Sequence, residues 1–244
     1  MSDLNSQLPP IVHFQPISGK VGFPARNGPL IYLPFCNFRC DFCLNAKVVN
    51  GEIEKIQFDM IREHIEEFKE TFVFISGGEP FFHKNLPNLV RELKSLGVQV
   101  GISTNGTFFD RLKALLEEGL DFVAMDIKTD LNNIKKWNQV SCTPEELESV
   151  KKSIALINSY VGKDSFGQEF RTTLYPPLVG EFDLKSISEF ISQDAVWILQ
   201  QFRPRLGLLG GNFVADIKPY EDDILYNWLE LAKAKIPNTH LRWP

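Results

Sequence analysis

The sequence has no run of about eighteen apolar residues, the length a membrane-spanning helix needs. Its first residues, "MSDLNSQLPP", include an acidic side chain and lack the apolar stretch of a secretory signal. Basic residues are not in excess. The 26 lysines and arginines face 31 aspartates and glutamates, a formal net charge of −5. Non-specific nucleic-acid binding needs a basic face, so DNA and RNA are not expected partners. Cysteine is scarce, with four residues. Without export these are expected to stay reduced rather than pair as disulfides. Internal repeats and low-complexity runs are absent too. These absences predict a cytoplasmic protein with no membrane or nucleic-acid partner.

What remains is ordinary globular composition, with 244 residues, 43% hydrophobic and 23% charged. Short apolar runs alternate with helical patterns. "LIYLPF" (30–35), "TFVFIS" (71–76), "VQVGIST" (98–104), "FVAMDIK" (122–128), "EFRTTLY" (169–175) and "AVWILQQF" (195–202) read as strands, and "THLRW" as a short last one. Between them lie helical patterns. One has Phe58, Ile61, Ile65 and Phe68 on a single face, and another is opened by Thr143, Pro144 and Glu146 as a capping box. Such alternation implies right-handed βαβ units and a parallel sheet, either open or a partial barrel. In both, chemistry belongs at the C-terminal ends of the strands. The expected division is a leader segment, 1–28, and a single domain, 29–244.

Cys36, Cys40 and Cys43 stand together in "CNFRCDFC". Thiolates suit zinc or iron–sulfur clusters. A structural zinc site wants four protein ligands, and no second pair of cysteines is present. Cys142 and His64 are expected in bland structural roles. Three thiolates in a loop after a strand can instead hold three irons of a [4Fe–4S] cluster and leave the fourth open. Cysteines that merely pack fit poorly beside the polar Asn37, Arg39, Asp41 and Asn45.

Other strand ends carry polar groups. "ISGGEP" supplies Gly77, Gly78 and Glu79, where glycine permits close backbone approach. "STNG" supplies Ser103, Thr104 and Asn105, which also suit turn and cap chemistry. In "MDIKT", Asp126 and Lys128 lie two apart and so share a strand face, as partners or as site groups. "FRTTLYP" puts Arg171 and Thr173 on one face, and Arg171 suits a carboxylate. "LQQFRP" adds Gln200, Gln201 and Arg203. Trp137 and the "LGLLGGN" loop receive no role.

The cysteine triplet, with Phe42 before its last member, resembles the cluster loop of the radical S-adenosylmethionine (SAM) superfamily. The resemblance implies a partial (β/α)6 barrel of the TIM-like type. It also implies a [4Fe–4S] cluster on Cys36, Cys40 and Cys43 whose open iron chelates SAM, and reductive SAM cleavage to a 5′-deoxyadenosyl radical. It implies that Gly77, Gly78 and Glu79 serve the methionyl amine. Ser103, Asn105, Asp126, Lys128 and Arg171 would line the rest of the pocket, with Phe42 near the adenine.

The order of all these segments resembles the glycyl-radical-enzyme activases, above all those of anaerobic ribonucleoside-triphosphate reductase and pyruvate formate-lyase. That likeness implies a glycyl radical enzyme as protein substrate and flavodoxin or ferredoxin as electron donor. The segment "VGFPARNGPLIYL" departs from the activases, keeping only Phe23-Pro24 of their usual opening. "NGPLIYLPFCN" is instead similar to the first strand of 7-carboxy-7-deazaguanine synthase, a radical SAM enzyme acting on a small molecule. A non-enzymatic zinc or electron-transfer module is the remaining alternative, and it requires a fourth protein ligand.

Overall fold

Apolar runs bounded by turn residues become strands, and apolar positions recurring at helical spacing become the helices that cover them. The computed structural model describes residues 4–16, 20–21 and 26–243. The strands are β1 His13–Gln15, β2 Lys20–Val21, β3 Arg26–Asn27, β4 Leu30–Leu33, β5 Phe72–Gly77, β6 Gln99–Thr104, β7 Phe122–Asp126, β8 Gly167–Leu174, β9 Trp197–Gln201 and β10 Thr239–Arg242. The helices are α1 Leu4–Gln7, α2 Ala46–Asn50, α3 Phe58–Phe68, α4 Leu86–Ser95, α5 Phe109–Glu117, α6 Ile134–Trp137, α7 Pro144–Asn158, α8 Glu181–Ser188 and α9 Asp222–Lys233.

One sheet has the order β1-β4-β5-β6-β7-β8-β9-β10, and β2 pairs only with β3. From β4 to β10 every pairing is parallel, between strands that follow one another in this order along the chain. Helices fill most connections, as right-handed crossovers require. The result is the expected α/β partial barrel. Part of the leader segment joins it. β1 pairs antiparallel with β4, and Leu8, Ile11 and Val12 are buried. Phe23-Pro24 lies outside the described residues.

Strand pairing sorts side chains by parity. Val73, Ile75, Val123 and Met125 face the helices in the main core. Phe72, Phe74, Phe122 and Ala124 face the bore and form a separate small apolar cluster. The same inner faces continue toward the C-terminal ends as Ser76, Ser103, Asp126, Arg171, Thr173 and Gln200, as the register requires. The bore is thus plugged below and polar above.

Local signals hold in most places. Thr143 accepts from the Glu146 N–H at 3.2 Å and the Glu146 carboxylate accepts from the Thr143 N–H at 2.9 Å, the capping box foreseen for α7. Several expectations need correction. The first strand stops at Leu33 because Phe35 turns the chain at φ 65° into the cysteine loop. Phe68 does not share the buried face of α3. It is 61% exposed on the last turn, beyond the sheet that covers Phe58, Ile61 and Ile65. The loop near Trp137 is a short helix, and Trp137 is fully buried, its indole N–H donating to the Asp130 carbonyl at 3.0 Å.

Candidate active site

The cysteine loop leaves β4 and is braced from three sides. Gly78 N donates to Leu33 O at 2.9 Å and Glu79 N to Phe35 O at 2.8 Å, tying it to the end of β5. Arg39 N donates to Val140 O at 3.0 Å, beside the α6 region. Leu209 N and Gly210 N donate to Cys43 O and Asp41 O at 3.2 and 2.9 Å. The "LGLLGGN" loop, without a role in the sequence, therefore lies on the cysteine loop.

The "GG" of "ISGGEP" has a physical cause. A Cβ on Gly78 would sit 1.8 Å from the Phe35 carbonyl oxygen, and one on Gly77 would sit 2.3 Å from the Leu33 oxygen. The two glycines let the β5 end approach the chain's own backbone, not only a ligand.

All twelve residues expected at the site line one cavity of about 260 Å3: Cys36, Phe42, Glu79, Asp126, Lys128 and the other seven, Cys40, Cys43, Gly77, Gly78, Ser103, Asn105 and Arg171. Thr173 and Gln200 line it too, as do Phe38, Leu44, Asn45, Val49, Ser76 and Thr104, which were not singled out as site residues. All four cysteines are free thiols. Burial, with Glu79 second, pushes the Cys36 thiol up to about 12. Burial likewise pushes Cys40 up to about 12, against the pull of Lys128. Buried thiols of this kind ionise readily only beside added positive charge, which bound iron supplies. The donor set fits a cluster held by three thiolates. The zinc alternative needs a fourth ligand. Among the described residues no group of three or more cysteine, histidine, aspartate or glutamate side chains is arranged to hold a single ion. His64 packs against Phe14 and Phe68 on α3.

Glu79 is 1% exposed. Its Oε1 accepts from Thr104 Oγ1 at 2.9 Å and from Phe81 N at 3.1 Å, and its Oε2 accepts from Asn105 N at 2.6 Å. Burial pushes its carboxyl up to about 7, against the lowering effect of these three bonds. Glu79 therefore staples two strand ends together while bordering the cavity. Asn105 is similarly committed. Its Nδ2 donates to Asn37 Oδ1 at 2.8 Å, and its Oδ1 accepts from Thr107 N and Oγ1 at 3.0 and 2.7 Å. Asn37 in turn donates to Glu146 at 2.7 Å, so the α7 capping box anchors the cysteine loop. That network joins positions far apart in sequence and has no local signature.

Asp126 and Lys128 are partners, paired at 2.9 Å, and both line the cavity wall. Burial alone would lower the Lys128 pKa, but Asp126 outweighs it and the ammonium is held above its usual range. Phe42 lies 4.9 Å from the Tyr175 ring, with the Lys128 ammonium 5.9 Å from its centroid. Arg171 donates Nε to Glu169 and approaches Ser103 Oγ at 3.4 Å. Sequence reasoning missed Glu169, although it shares the strand parity of Arg171 and Thr173.

An α/β partial barrel with three thiols at the C-terminal mouth defines a class of metal-cluster proteins. The chain belongs to one family of that class. The pattern of the Radical SAM superfamily matches residues 30–162, so this is a member of that superfamily. Membership implies a [4Fe–4S] cluster and SAM as cofactors. A protein of Methanocaldococcus jannaschii, provisionally named a glycyl-radical enzyme activating enzyme, is 29% identical over 187 residues, covering 76% of this chain and 77% of its own. The 7-carboxy-7-deazaguanine synthase of Aquifex aeolicus is 32% identical over 110 residues, covering 44% of this chain and 49% of its own. Among solved structures, Streptococcus suis SuiB bound to the precursor peptide SuiA superposes with TM-score 0.66 at 16% identity, covering 87% of this chain and 48% of that one. This last likeness is one of fold.

Proposed function

We propose that this protein activates a glycyl radical enzyme by SAM-dependent hydrogen abstraction from a glycine of the partner. The observation that carries the reading is the single cavity in which three thiols face a row of polar strand ends. Cys36, Cys40 and Cys43 hold the cluster. The bound cluster and SAM supply the one-electron bond cleavage, and the protein supplies binding, orientation and exclusion of water.

Glu79 has four lone-pair sites and three are used within the chain, which leaves one for the methionyl ammonium. Arg171 offers its fork to the methionyl carboxylate, and Asp126 accepts from ribose hydroxyls while Lys128 holds it in place. Phe42 flanks the adenine, and Ser103 and Asn105 shape the wall between. The likeness to the M. jannaschii protein supports the activase reading, and anaerobic ribonucleoside-triphosphate reductase is the partner that the order of segments favours. Flavodoxin or ferredoxin would deliver the electron.

Anaerobic reconstitution tests the proposal. About four irons per chain, and an EPR signal of the reduced cluster that changes on adding SAM, are expected. A glycyl radical signal on the candidate reductase, after incubation with this protein, SAM and reductant, is the decisive outcome. One zinc, or a cluster indifferent to SAM, overturns the reading. The likeness to the Aquifex synthase favours a second reading, a small-molecule substrate, and formation of carboxy-deazaguanine would establish it.

A further inference from the structure

Two N–H groups point at the Cys36 sulfur. Phe38 N donates to Sγ at 3.4 Å from within the cysteine loop, and Asn105 Nδ2 approaches it at 3.9 Å from just beyond the end of β6. The second contact is long, yet every polar atom of the Asn105 side chain is held by a neighbour. Asn105 and Thr107 are buried, where a hydrogen bond is electrostatically stronger than in water. A second cavity of about 290 Å3 adjoins the first across Phe42, Leu44, Thr173 and Gln200, with Arg242 in its wall. None of Asn37, Asn105, Thr107 and Glu146 lines it, so changes to this group leave that space unaltered.

The sense of each bond in the group is fixed from both ends. A carboxylate oxygen only accepts, so Asn37 must turn its Nδ2 to Glu146 Oε1, at 2.7 Å, and its Oδ1 to Asn105. A backbone N–H only donates, so Asn105 must turn its Oδ1 to Thr107 N, at 3.0 Å. Asn105 Nδ2 is left with one hydrogen for Asn37 Oδ1, at 2.8 Å, and one for the sulfur. Thr107 Oγ1 closes the ring. It accepts from Asn37 Nδ2 at 3.0 Å and donates to Asn105 Oδ1 at 2.7 Å. Flipping either amide would set donor against donor or acceptor against acceptor. Asn105 therefore presents an N–H, and not a carbonyl oxygen, to Cys36.

We propose that Asn105 is a hydrogen-bond donor to the bound cluster through the Cys36 sulfur, and that Asn37, Thr107 and Glu146 are positioning residues that keep its N–H there. The ease of reducing the cluster is then set partly from α7, outside the cysteine loop. Hydrogen bonds to cluster sulfurs are one of the protein's controls on reduction potential. A reduced cluster carries more negative charge on its sulfurs, so an N–H on the Cys36 sulfur favours the reduced form and raises the potential. This rests on the proposed function, in which the cluster must take up one electron before SAM is cleaved.

The test is an anaerobic reductive titration of the reconstituted protein, followed by EPR without SAM. Asn105→Leu removes the donor without changing charge. It should shift the reduction equilibrium against the reduced cluster by about threefold to tenfold, the upper figure being about 59 mV for one electron. Thr107→Val is a milder change and should lower the potential in the same direction. It decides the matter if Asn105→Leu fails to hold a cluster. Glu146→Ala loses a negative charge, which by itself makes a cluster easier to reduce, and loses the positioning, which makes it harder. It should lower the potential, whereas Glu146→Gln, which keeps an acceptor oxygen for Asn37, should not. An unchanged or raised potential in Asn105→Leu, or in Thr107→Val where that variant decides, overturns the proposal. So do equal shifts for Glu146→Ala and Glu146→Gln. SAM is then added to the same samples. If the signal of the unsubstituted protein ignores SAM, the proposed function falls while the shifts in potential still decide this proposal. The absence of any reducible cluster in the unsubstituted protein overturns both.

Discussion

Replacing Glu79 by glutamine separates two effects that the structure sets against each other. The carboxyl group is buried and its pKa is pushed up to about 7, mainly by that burial. In the unfolded chain it titrates near 4.5. The folded protein therefore keeps a proton that the unfolded chain has already lost. Stability from this group is complete below pH 4.5 and declines as pH rises toward 7. Between pH 5 and pH 8 the decline is on the order of 2–3 kcal/mol, from a slope of about 1.4 kcal/mol per pKa unit. Glutamine does not titrate, so Glu79→Gln lacks that slope. Its amide does face a donor, however. Either Asn105 N–H or Phe81 N–H loses its acceptor, at about 1–3 kcal/mol. Glu79→Gln should thus be clearly less stable than the unsubstituted protein at pH 5 and about equal to it at pH 8. Urea unfolding of the reduced, cluster-free proteins at the two pH values measures this. Cys36, pushed up to about 12, stays protonated throughout and does not confound the comparison. A stability difference that is the same at both pH values refutes the reasoning, because Glu79 would then not titrate in that window.

Alanine at Cys36, Cys40 or Cys43 should each abolish the SAM-dependent EPR signal, whereas Cys142→Ser should leave iron content unchanged, as iron assay after reconstitution would show. Gly78→Ala must move either Phe35 or the "ISGGEP" turn, since the new Cβ would lie 1.8 Å from a backbone oxygen. We expect a loss of at least about 2 kcal/mol in urea unfolding together with weaker SAM binding. Gly210→Val places a side chain 2.6 Å from Asp41 Cβ and 2.9 Å from Asp41 Cα, so it should lift the covering loop. The reconstituted cluster should then bleach faster in air and in chelator, with the folded apoprotein near its original stability.

The order of strands and helices was legible because each carries its own period, and the gathering of the twelve candidate residues around one cavity was legible because the barrel brings every strand end to one mouth. What could not be read is how those ends brace one another. Asn37, Asn105, Thr107 and Glu146 meet only after three separate segments have folded, so no spacing announces them. Glu79 shows the same limit from the other side. Its place in "ISGGEP" suggested a ligand for SAM, yet most of its hydrogen bonding is spent joining β5 to β6. The two roles depend on each other. A carboxylate aimed at an ammonium must be fixed in orientation, and the donors that fix it also lower the cost of burying its charge. Glu169 extends the pattern into the bore, where one buried carboxylate orients Arg171 toward the first cavity and Arg242 toward the second. Here a carboxylate that lines neither cavity sets the direction of two guanidiniums that do.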